Sequence, residues 1–429
     1  MNTTFNTTST SSAASLRPIP DGGVTSAHGF TAAGVHAGFR KNPARADLAI
    51  VVADRPVSAA GVFTANRFCA APVQVSREQL GGIEHGYGTM RAVVINSGNA
   101  NAATGEPGLA LARETCGVVA DALGCKAGEV LVASTGVIGV PLDIEPFEQG
   151  IPQAAAALSR EGAHDAARAI MTTDTHAKEC AVAYESAAPG FEGCTFTVGG
   201  MCKGSGMIMP NMATMIAVIT TDAPVQPAVL HEILLSKVRV TFNKVTVDSD
   251  SSTNDTCVIF ASGDAAPGVA LIEQGTPAYA ELCQAVHAVC ENLARAIAAD
   301  GEGASKLVTV NVHGAATEAD ADTAARSVAN SPLVKTAIAG HDCNWGRIAA
   351  ALGKCGVPFD QSRVDIDIMG IPVCRAGLTV PFDEAEALRR FEEPEIVIEA
   401  NLGAGVCSTT VWTCDLTHEY VSINADYRS

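Results

Sequence analysis

The stretch from 203 to 222 constrains the fold most, because a glycine-rich loop containing Pro210 runs there directly into an apolar segment. Residues 215–219 are apolar and largely β-branched, which predicts a buried strand. Thr214 therefore lies at the mouth of that strand, directly after the small residue Ala213. A threonine in this position can attack the carbonyl carbon of Ala213. An N-to-O acyl shift followed by hydrolysis would then release Thr214 as a new N-terminus.

A freed Thr214 would carry its own catalytic base. Its α-amine would have a reference pKa of about 7.7–8.0 and could accept the proton of its own hydroxyl, as in other nucleophiles of this kind. The same residues also fit an ordinary loop-to-strand junction, since Ala-Thr before an apolar strand is a common combination. The local sequence leaves both interpretations open.

The wider string around Thr214 resembles the processing site of the ornithine acetyltransferase (glutamate N-acetyltransferase) family of arginine biosynthesis. The resemblance is carried by Lys-Gly-Ser-Gly-Met at 203–207 and by Pro-Asn-Met-Ala-Thr-Met at 210–215. It extends through further motifs over nearly the whole chain. It implies self-cleavage between Ala213 and Thr214.

Composition describes an acidic chain built from small side chains. The 429 residues are 47% hydrophobic and only 5% aromatic. A chain of this length can form two core-forming units. A net charge of −18 disfavours non-specific binding of nucleic acid or anionic lipid. The 14 cysteines lack zinc-type spacing and predict reduced thiols in a cytoplasmic protein. No apolar run reaches the length of a transmembrane helix.

The chain divides into three predicted parts. Residues 1–16 are rich in Ser, Thr and Asn without a basic start or an apolar core, which predicts a disordered tail and not a signal peptide. The resemblance implies that residues 17–213 form an α chain. It also implies that residues 214–429 form a β chain carrying the N-terminal threonine nucleophile.

Hydrophobic periodicity alternates between strand and helix patterns along the chain. Continuous apolar runs predict strands at 47–53, 59–66 and 71–75, while apolar residues at helical spacing predict a long helix at 277–299. These patterns support a mixed α/β fold. The resemblance implies more: a layered helix–sheet sandwich of the ornithine acetyltransferase/DmpA type, self-cleaved into intertwined α and β chains.

Thr135 and Gly136 follow a predicted strand at 129–133. A threonine hydroxyl beside a glycine amide can direct two hydrogen-bond donors at one point, as an oxyanion hole requires. Taken alone, the pair also fits a simple turn at the end of a strand. The resemblance assigns the oxyanion role to Thr135 and Gly136.

The remaining site residues come from the resemblance, supported by their side-chain chemistry. Thr173 is assigned to the amino-acid substrate, with Thr172 as the alternative that sequence does not separate. Lys203 can pair with a carboxylate, and Glu302, between two glycines, can pair with an ammonium group. At the C-terminus, where chains usually fray, the family's returning tail implies substrate contacts for Asn424 and Ser429.

The polar run at 248–255 superficially resembles a calcium loop, but it lacks the glycine and the final glutamate of that motif. We interpret it as a hydrogen-bonded turn that lines the site. The small-residue loop Asn-Ser-Gly-Asn-Ala-Asn at 96–101 is interpreted as shaping the site without a specific role. No metal and no bound cofactor is expected.

Together these features predict a ping-pong acetyltransferase. Thr214 would take the acetyl group from N-acetylornithine and pass it to glutamate, with acetyl-CoA as a substrate only if the enzyme also primes the cycle. The expected assembly is a heterotetramer of two α and two β chains. Two alternatives remain: an aminopeptidase or amidohydrolase of related fold, which would cleave peptide amides without an acceptor amine, and a non-enzymatic scaffold that stays uncleaved.

Overall fold

The computed structural model describes residues 15–82, 85–209 and 215–426. The predicted cleavage junction at Ala213 and Thr214, the terminal Ser429 and residues 1–14 of the predicted tail lie outside these ranges. Within them the chain forms two β-sheets flanked by helices. The predicted α/β class is therefore confirmed.

The first sheet contains nine strands within the described residues, in the order β1-β6-β7-β8-β9-β3-β4-β5 with β2 beside β3. Strands β8 and β9 follow the predicted cleavage junction, yet they lie between strands that precede it. The two parts of the chain are thus interleaved in one sheet. Its strands are β1 (Arg17–Pro18), β2 (Phe30–Val35), β3 (Leu48–Phe63), β4 (Tyr87–Asn99), β5 (Val130–Val137), β6 (Lys178–Glu185), β7 (Thr195–Lys203), β8 (Ile216–Thr221) and β9 (Thr256–Ala261).

Strand β3 is long enough to pair with different strands along its two halves. We call the two parts of the sheet that meet at β3 its arms. Its register shifts between Val52 and Val57, where the intervening residues 54–56 are exposed. The first half of β3 pairs with β2 and the second half with β9, while β4 runs along both. Val51 in one arm and Val218 in the other belong to the same apolar core. The sheet therefore folds back on itself around a shared core.

Helices cover the outer faces of both arms. Helices α2 and α3 pack on the arm with β2 and β5, and α5 and α6 pack on the arm with β7 and β8. The packing is tight, because a Cβ atom on Gly200 of β7 would lie 3.0 Å from side-chain atoms of Val289 and Leu293. This arrangement is the predicted layered sandwich. The helices here are α1 (Ala71–Gln79), α2 (Gly105–Leu123), α3 (Glu145–Ala156), α4 (Ala163–Ala169), α5 (Pro227–Val240) and α6 (Pro277–Ala299).

A second sheet is built entirely from the C-terminal part of the chain. In the described residues it has six strands in the order β13-β12-β11-β14-β10-β15, with helices packed on one face around a separate core. The last described helix, α11, follows β15. The elements are β10 (Leu307–Ala315), α7 (Glu318–Ala329), α8 (Pro332–Ala339), α9 (Trp345–Gly353), β11 (Asp365–Ile368), β12 (Ile371–Arg375), β13 (Leu378–Thr379), α10 (Glu384–Arg390), β14 (Glu395–Asn401), β15 (Cys407–Cys414) and α11 (His418–Asp426).

One predicted strand is wrong, and another is only part of a longer strand. Residues 71–75 form the start of α1, where Pro72 occupies the first turn of the helix. Proline lacks the N–H that a strand ladder needs, whereas the first turn of a helix leaves that N–H without a partner. Residues 59–66 do not form a strand of their own, because 59–63 are the second half of β3. In the part of the chain that the structure describes, each helix is too short or too polar to cross a membrane.

Candidate active site

The start of β8 is the point around which the predicted site residues gather. Strand β7 runs antiparallel to β8 and places Lys203 opposite Ile216. Strand β9 runs parallel on the other side and places Thr256 beside Ile216. The Thr256 amide donates a hydrogen bond of 2.8 Å to the Met215 carbonyl. The predicted nucleophile, Thr214, immediately precedes this fixed point in the chain.

The glycine-rich loop after β7 is held against the segment that carries Glu302. The Ser205 hydroxyl donates to the Asp300 carbonyl at 2.7 Å, and the Glu302 amide donates to the Ser205 carbonyl at 3.0 Å. A Cβ atom on Gly206 would lie 2.3 Å from the carboxyl carbon of Glu302. Glycine at 206 therefore lets the loop pass directly over the carboxylate.

A buried ion network lies beneath this loop. The Lys178 ammonium is fully buried, 2.6 Å from a carboxylate oxygen of Asp174 and 2.5 Å from one of Asp300. Asp174 also accepts a 2.8 Å hydrogen bond from the Gly204 amide. Burial alone would raise the pKa of Asp174, but the positive charges of Lys178 and Lys203 outweigh it and hold that pKa well below its usual range.

Sequence reasoning did not single out Lys178, although the network joins three segments that carry predicted substrate residues. Asp174 follows Thr173, Gly204 follows Lys203, and Asp300 lies two residues before Glu302. A lysine just before an apolar strand was the available signal, but its two partners are 4 and 122 residues away in the chain. Local sequence does not reveal such a contact.

Lys203 is buried without the partners that Lys178 has. Its side chain is 8% exposed and donates no hydrogen bond to any described residue. Burial lowers the pKa of Lys203, and the positive charge of Lys178 lowers it further, while Asp174, Asp255 and Glu302 raise it in part. A largely buried ammonium is costly unless carboxylates lie near it. Lys203 is therefore well suited to pair with an incoming carboxylate.

The C-terminal helix α11 reaches the same place. The Asn424 side-chain amide donates a 2.7 Å hydrogen bond to Glu302, whose side chain is 8% exposed. The Thr417 hydroxyl donates to the Gly303 carbonyl at 2.6 Å. None of the α11 residues is buried. Polar contacts therefore hold this helix over the site, and they bring Asn424 to Glu302.

The two candidate threonines of the 172–175 segment differ in their hydrogen bonds. The Thr172 amide donates to Asp174 at 2.9 Å, and the Thr172 hydroxyl lies 3.5 Å from the same carboxylate oxygen. The Thr173 side chain makes no hydrogen bond with any described residue and is half-buried. The substrate role of Thr173 stays a prediction, with Thr172 as the alternative.

Thr135 and Gly136 lie at the end of β5, on the other arm of the folded sheet. Gly136 has φ of +131°, and a Cβ atom there would lie 2.3 Å from the carbonyl carbon of Gly98 in β4. A side chain at 136 is excluded both by this backbone conformation and by the close approach of β4. The Thr135 hydroxyl has no hydrogen-bond partner among the described residues, and the residue is 9% exposed.

Two polar loops connect these parts. The 96–101 loop, which ends β4, and the 248–255 loop, which precedes β9, meet where the Asn254 amide donates to the carbonyls of Ala100 and Ser134. That these loops shape and line the site stays a prediction. Among residues 15–82, 85–209 and 215–426, no cluster of His, Cys, Asp and Glu is arranged to hold a metal ion.

Comparisons with known proteins give a consistent result. The sequence model of the ArgJ family matches residues 31–429. The curated arginine biosynthesis bifunctional protein ArgJ of Symbiobacterium thermophilum is 50% identical over 409 residues, which is 95% of this chain and 99% of that protein. The protein of the same name from Thermosynechococcus vestitus is 47% identical over 423 residues, 95% of this chain and 98% of its own.

A solved structure of ornithine acetyltransferase from Mycobacterium tuberculosis, complexed with ornithine, is 39% identical to this chain in the aligned part. The alignment covers 46% of this chain and 100% of that chain, with a TM-score of 0.41.

We predict that Lys178→Met destabilises the fold by about 3–5 kcal/mol, because it leaves Asp174 and Asp300 buried without their counterion. Unfolding in urea, followed by circular dichroism, measures this change in the free energy of unfolding. Lys41→Met, at an exposed position, is the control and should change it little. A change below about 1 kcal/mol for Lys178→Met would contradict the importance of the network.

Proposed function

The chain belongs to the ArgJ family, and from that premise we propose that it transfers the acetyl group of N-acetylornithine to glutamate in arginine biosynthesis. The relatives carry the word bifunctional in their names. We therefore include acetyl-CoA as a second acetyl donor in the proposal, as a substrate and not as a bound cofactor.

One observation supports this function above the others: the buried Lys203 ammonium beside the start of β8. N-acetylornithine and glutamate both carry an α-carboxylate, which would supply the anion that Lys203 lacks. Glu302 and Asn424, which are hydrogen-bonded to each other, and Thr173 would offer the same substrate one carboxylate, one amide and one hydroxyl. Ser429 belongs to the proposed site through the resemblance alone. One site could thus hold the amino-acid core of each substrate in turn.

The proposed chemistry begins at Thr214. Its hydroxyl oxygen attacks the acetyl carbonyl carbon of N-acetylornithine, and its own α-amine takes the hydroxyl proton. Thr135 and Gly136 donate hydrogen bonds to the oxyanion of the tetrahedral intermediate. The carbon–nitrogen bond then breaks, ornithine leaves with the proton, and acetyl-Thr214 remains. The glutamate amine attacks this ester, and N-acetylglutamate leaves with Thr214 restored.

The same hydroxyl would first cleave the chain between Ala213 and Thr214. Both flanks of this junction are anchored: the Ser251 hydroxyl donates to the Met209 carbonyl at 2.9 Å, and the Thr256 amide holds Met215. Cleavage would yield the α chain, 17–213, together with the predicted tail at 1–16, and the β chain, 214–429. The interleaving of β8 and β9 with the other strands would keep the two together.

The remaining parts of the proposal concern the setting of the enzyme. All 14 cysteines are free, which supports a reducing compartment such as the cytoplasm. The substrates are small molecules, and the proposed assembly is a heterotetramer of two α and two β chains. The proposed steps use side chains, the backbone amide of Gly136 and the freed amine of Thr214, so they call on neither a metal nor a bound cofactor.

We predict that the purified protein shows two bands on a denaturing gel and that the β chain begins Thr-Met-Ile-Ala. Thr214→Ala should remain a single chain without transferase activity, because it lacks the hydroxyl that attacks the peptide bond. N-terminal sequencing checks the cleavage position. An active preparation of full-length chain, or a new N-terminus elsewhere, would contradict the proposed nucleophile.

The proposed transfer differs from hydrolysis in its need for an acceptor amine. With N-acetylornithine as donor, we predict that steady release of ornithine depends on glutamate and that N-acetylglutamate forms in equal amount. Initial rates at several fixed glutamate concentrations should give parallel double-reciprocal lines, as in ping-pong kinetics. Rapid ornithine release without an acceptor, together with cleavage of peptide amides, would favour the aminopeptidase alternative.

We predict that Thr135→Ala lowers kcat by about 10²–10³-fold and changes the KM of N-acetylornithine little, because an oxyanion donor acts mainly in the transition state. Rates are normalised to the amount of cleaved protein, since cleavage would use the same donor. The opposite pattern, a raised KM with kcat intact, would show that Thr135 binds the substrate and does not stabilise the oxyanion.

A further inference from the structure

The loop at 248–255, which we call the clasp loop, contacts both sides of the proposed reaction centre. It runs from Asp248 to Asp255 and leads directly into β9. Through β9 it is tied to the start of β8, because Thr256 pairs with Ile216. The proposed chemistry gives none of its residues a part in the reaction.

One end of the clasp loop holds the chain just before the cleavage junction. The Asp248 carboxylate accepts hydrogen bonds from the amides of Met207 at 2.6 Å and Ile208 at 2.8 Å. Met207 has φ of +55°, a left-handed conformation that disfavours any residue with a side chain. Ser251 adds its hydroxyl bond to the Met209 carbonyl. The clasp loop therefore maintains a bend in the segment that leads to Ala213.

The other end holds the strand that carries the oxyanion donors. The Asn254 side chain is nearly fully buried, and its NH₂ group donates to the Ala100 carbonyl at 2.6 Å and to the Ser134 carbonyl at 2.8 Å. Its oxygen accepts the Thr253 hydroxyl at 2.6 Å. Both N–H donors of the Asn254 side chain are thus used. Ser134 is the residue directly before Thr135.

We infer that the clasp loop positions the two halves of the reaction centre: Asp248 holds the acyl side of the cleavage junction, and Asn254 holds the oxyanion strand against the nucleophile. This inference rests on the proposed function, in which Thr214 attacks twice. The two attacks use the same hydroxyl and the same oxyanion donors, but different acyl groups. In cleavage the acyl group is Ala213, attached to the bent segment, whereas in transfer it comes from the substrate.

The two positioning residues should therefore separate cleavage from transfer. Loss of Asp248 should slow cleavage far more than it slows transfer by the cleaved protein. Loss of Asn254 should impair both reactions, and its effect on transfer should fall on kcat and not on KM. A role limited to general stability would instead give the two variants the same pattern.

The first test compares Asp248→Ala, Asp248→Asn and the double variant Asp248→Ala/Met207→Gly in pulse–chase measurements of cleavage. We expect Asp248→Ala to slow cleavage about 10²-fold, as a misplaced reacting group does. Asp248→Asn keeps a side-chain oxygen as acceptor and should cleave nearer the parent rate. Glycine adopts a left-handed φ readily, so the added Met207→Gly should restore much of the lost rate.

Failure of Met207→Gly to raise the cleavage rate of Asp248→Ala would overturn the role of Asp248. Once cleavage of Asp248→Ala is complete, its transfer rate per acetylatable site should fall far less than its cleavage rate. A transfer defect as large as the cleavage defect would also overturn it. If Asp248→Ala does not cleave at all, the Met207→Gly comparison alone decides.

The second test concerns Asn254→Asp, which has the same shape but cannot donate to two carbonyls. We expect a fall in kcat of about 10²-fold with the KM of N-acetylornithine nearly unchanged. If Asn254 acts through Thr135, the double variant Asn254→Asp/Thr135→Ala should be little slower than Thr135→Ala. Asn401→Asp, at an exposed position where an acceptor is retained, is the control.

Fully additive effects of Asn254→Asp and Thr135→Ala, or a change confined to KM, would overturn the role of Asn254. The parent protein separates this outcome from failure of the proposed function. If the parent neither cleaves nor transfers, the proposed function fails, and the inference that rests on it fails too. If the parent performs both reactions while the variants depart from the expected pattern, the clasp loop alone is misassigned.

Discussion

The pairing of β8 between β7 and β9 is the constraint on which the rest of the site depends. It places Lys203 and Thr256 on either side of Ile216, two residues after the proposed nucleophile. It also interleaves strands from both proposed chains in one sheet. A cut before Thr214 would therefore free its amine while the two chains stay together. The folded-back sheet then brings the end of β5, from the opposite arm, to the same centre through Asn254.

The site contains two buried lysines, Lys178 and Lys203, which differ in their partners. Lys178 is neutralised by Asp174 and Asp300 and joins three segments that carry proposed substrate residues. Lys203 lies nearby, is also largely buried, and forms no hydrogen bond through its side chain with the described residues. In the proposed function a substrate carboxylate pairs with this ammonium. Lys178 would then fix the geometry of the site, and Lys203 would bind the substrate.

Sequence predicted what is local and missed what depends on long-range contacts. The α6 helix at 277–299 followed from helical spacing, and the strand after Thr214 followed from its apolar run. The error at 71–75 came from reading apolar residues as a strand when Pro72 marked a helix start. Motif resemblance named Glu302 and Asn424, and the structure brings them into contact across 122 residues. Sequence reasoning did not single out Lys178, and it named Asn254 only as part of the polar run at 248–255, because the partners of both side chains are set by the fold.

The acetylated state of Thr214 is the most direct test of the account. Purified protein is incubated with N-acetylornithine, then digested, and the peptide that begins at Thr214 is weighed by mass spectrometry before and after glutamate is added. The account predicts that this peptide gains the mass of one acetyl group and loses it on addition of glutamate, with N-acetylglutamate as the product. Transfer to glutamate that proceeds while Thr214 is never acetylated would contradict it.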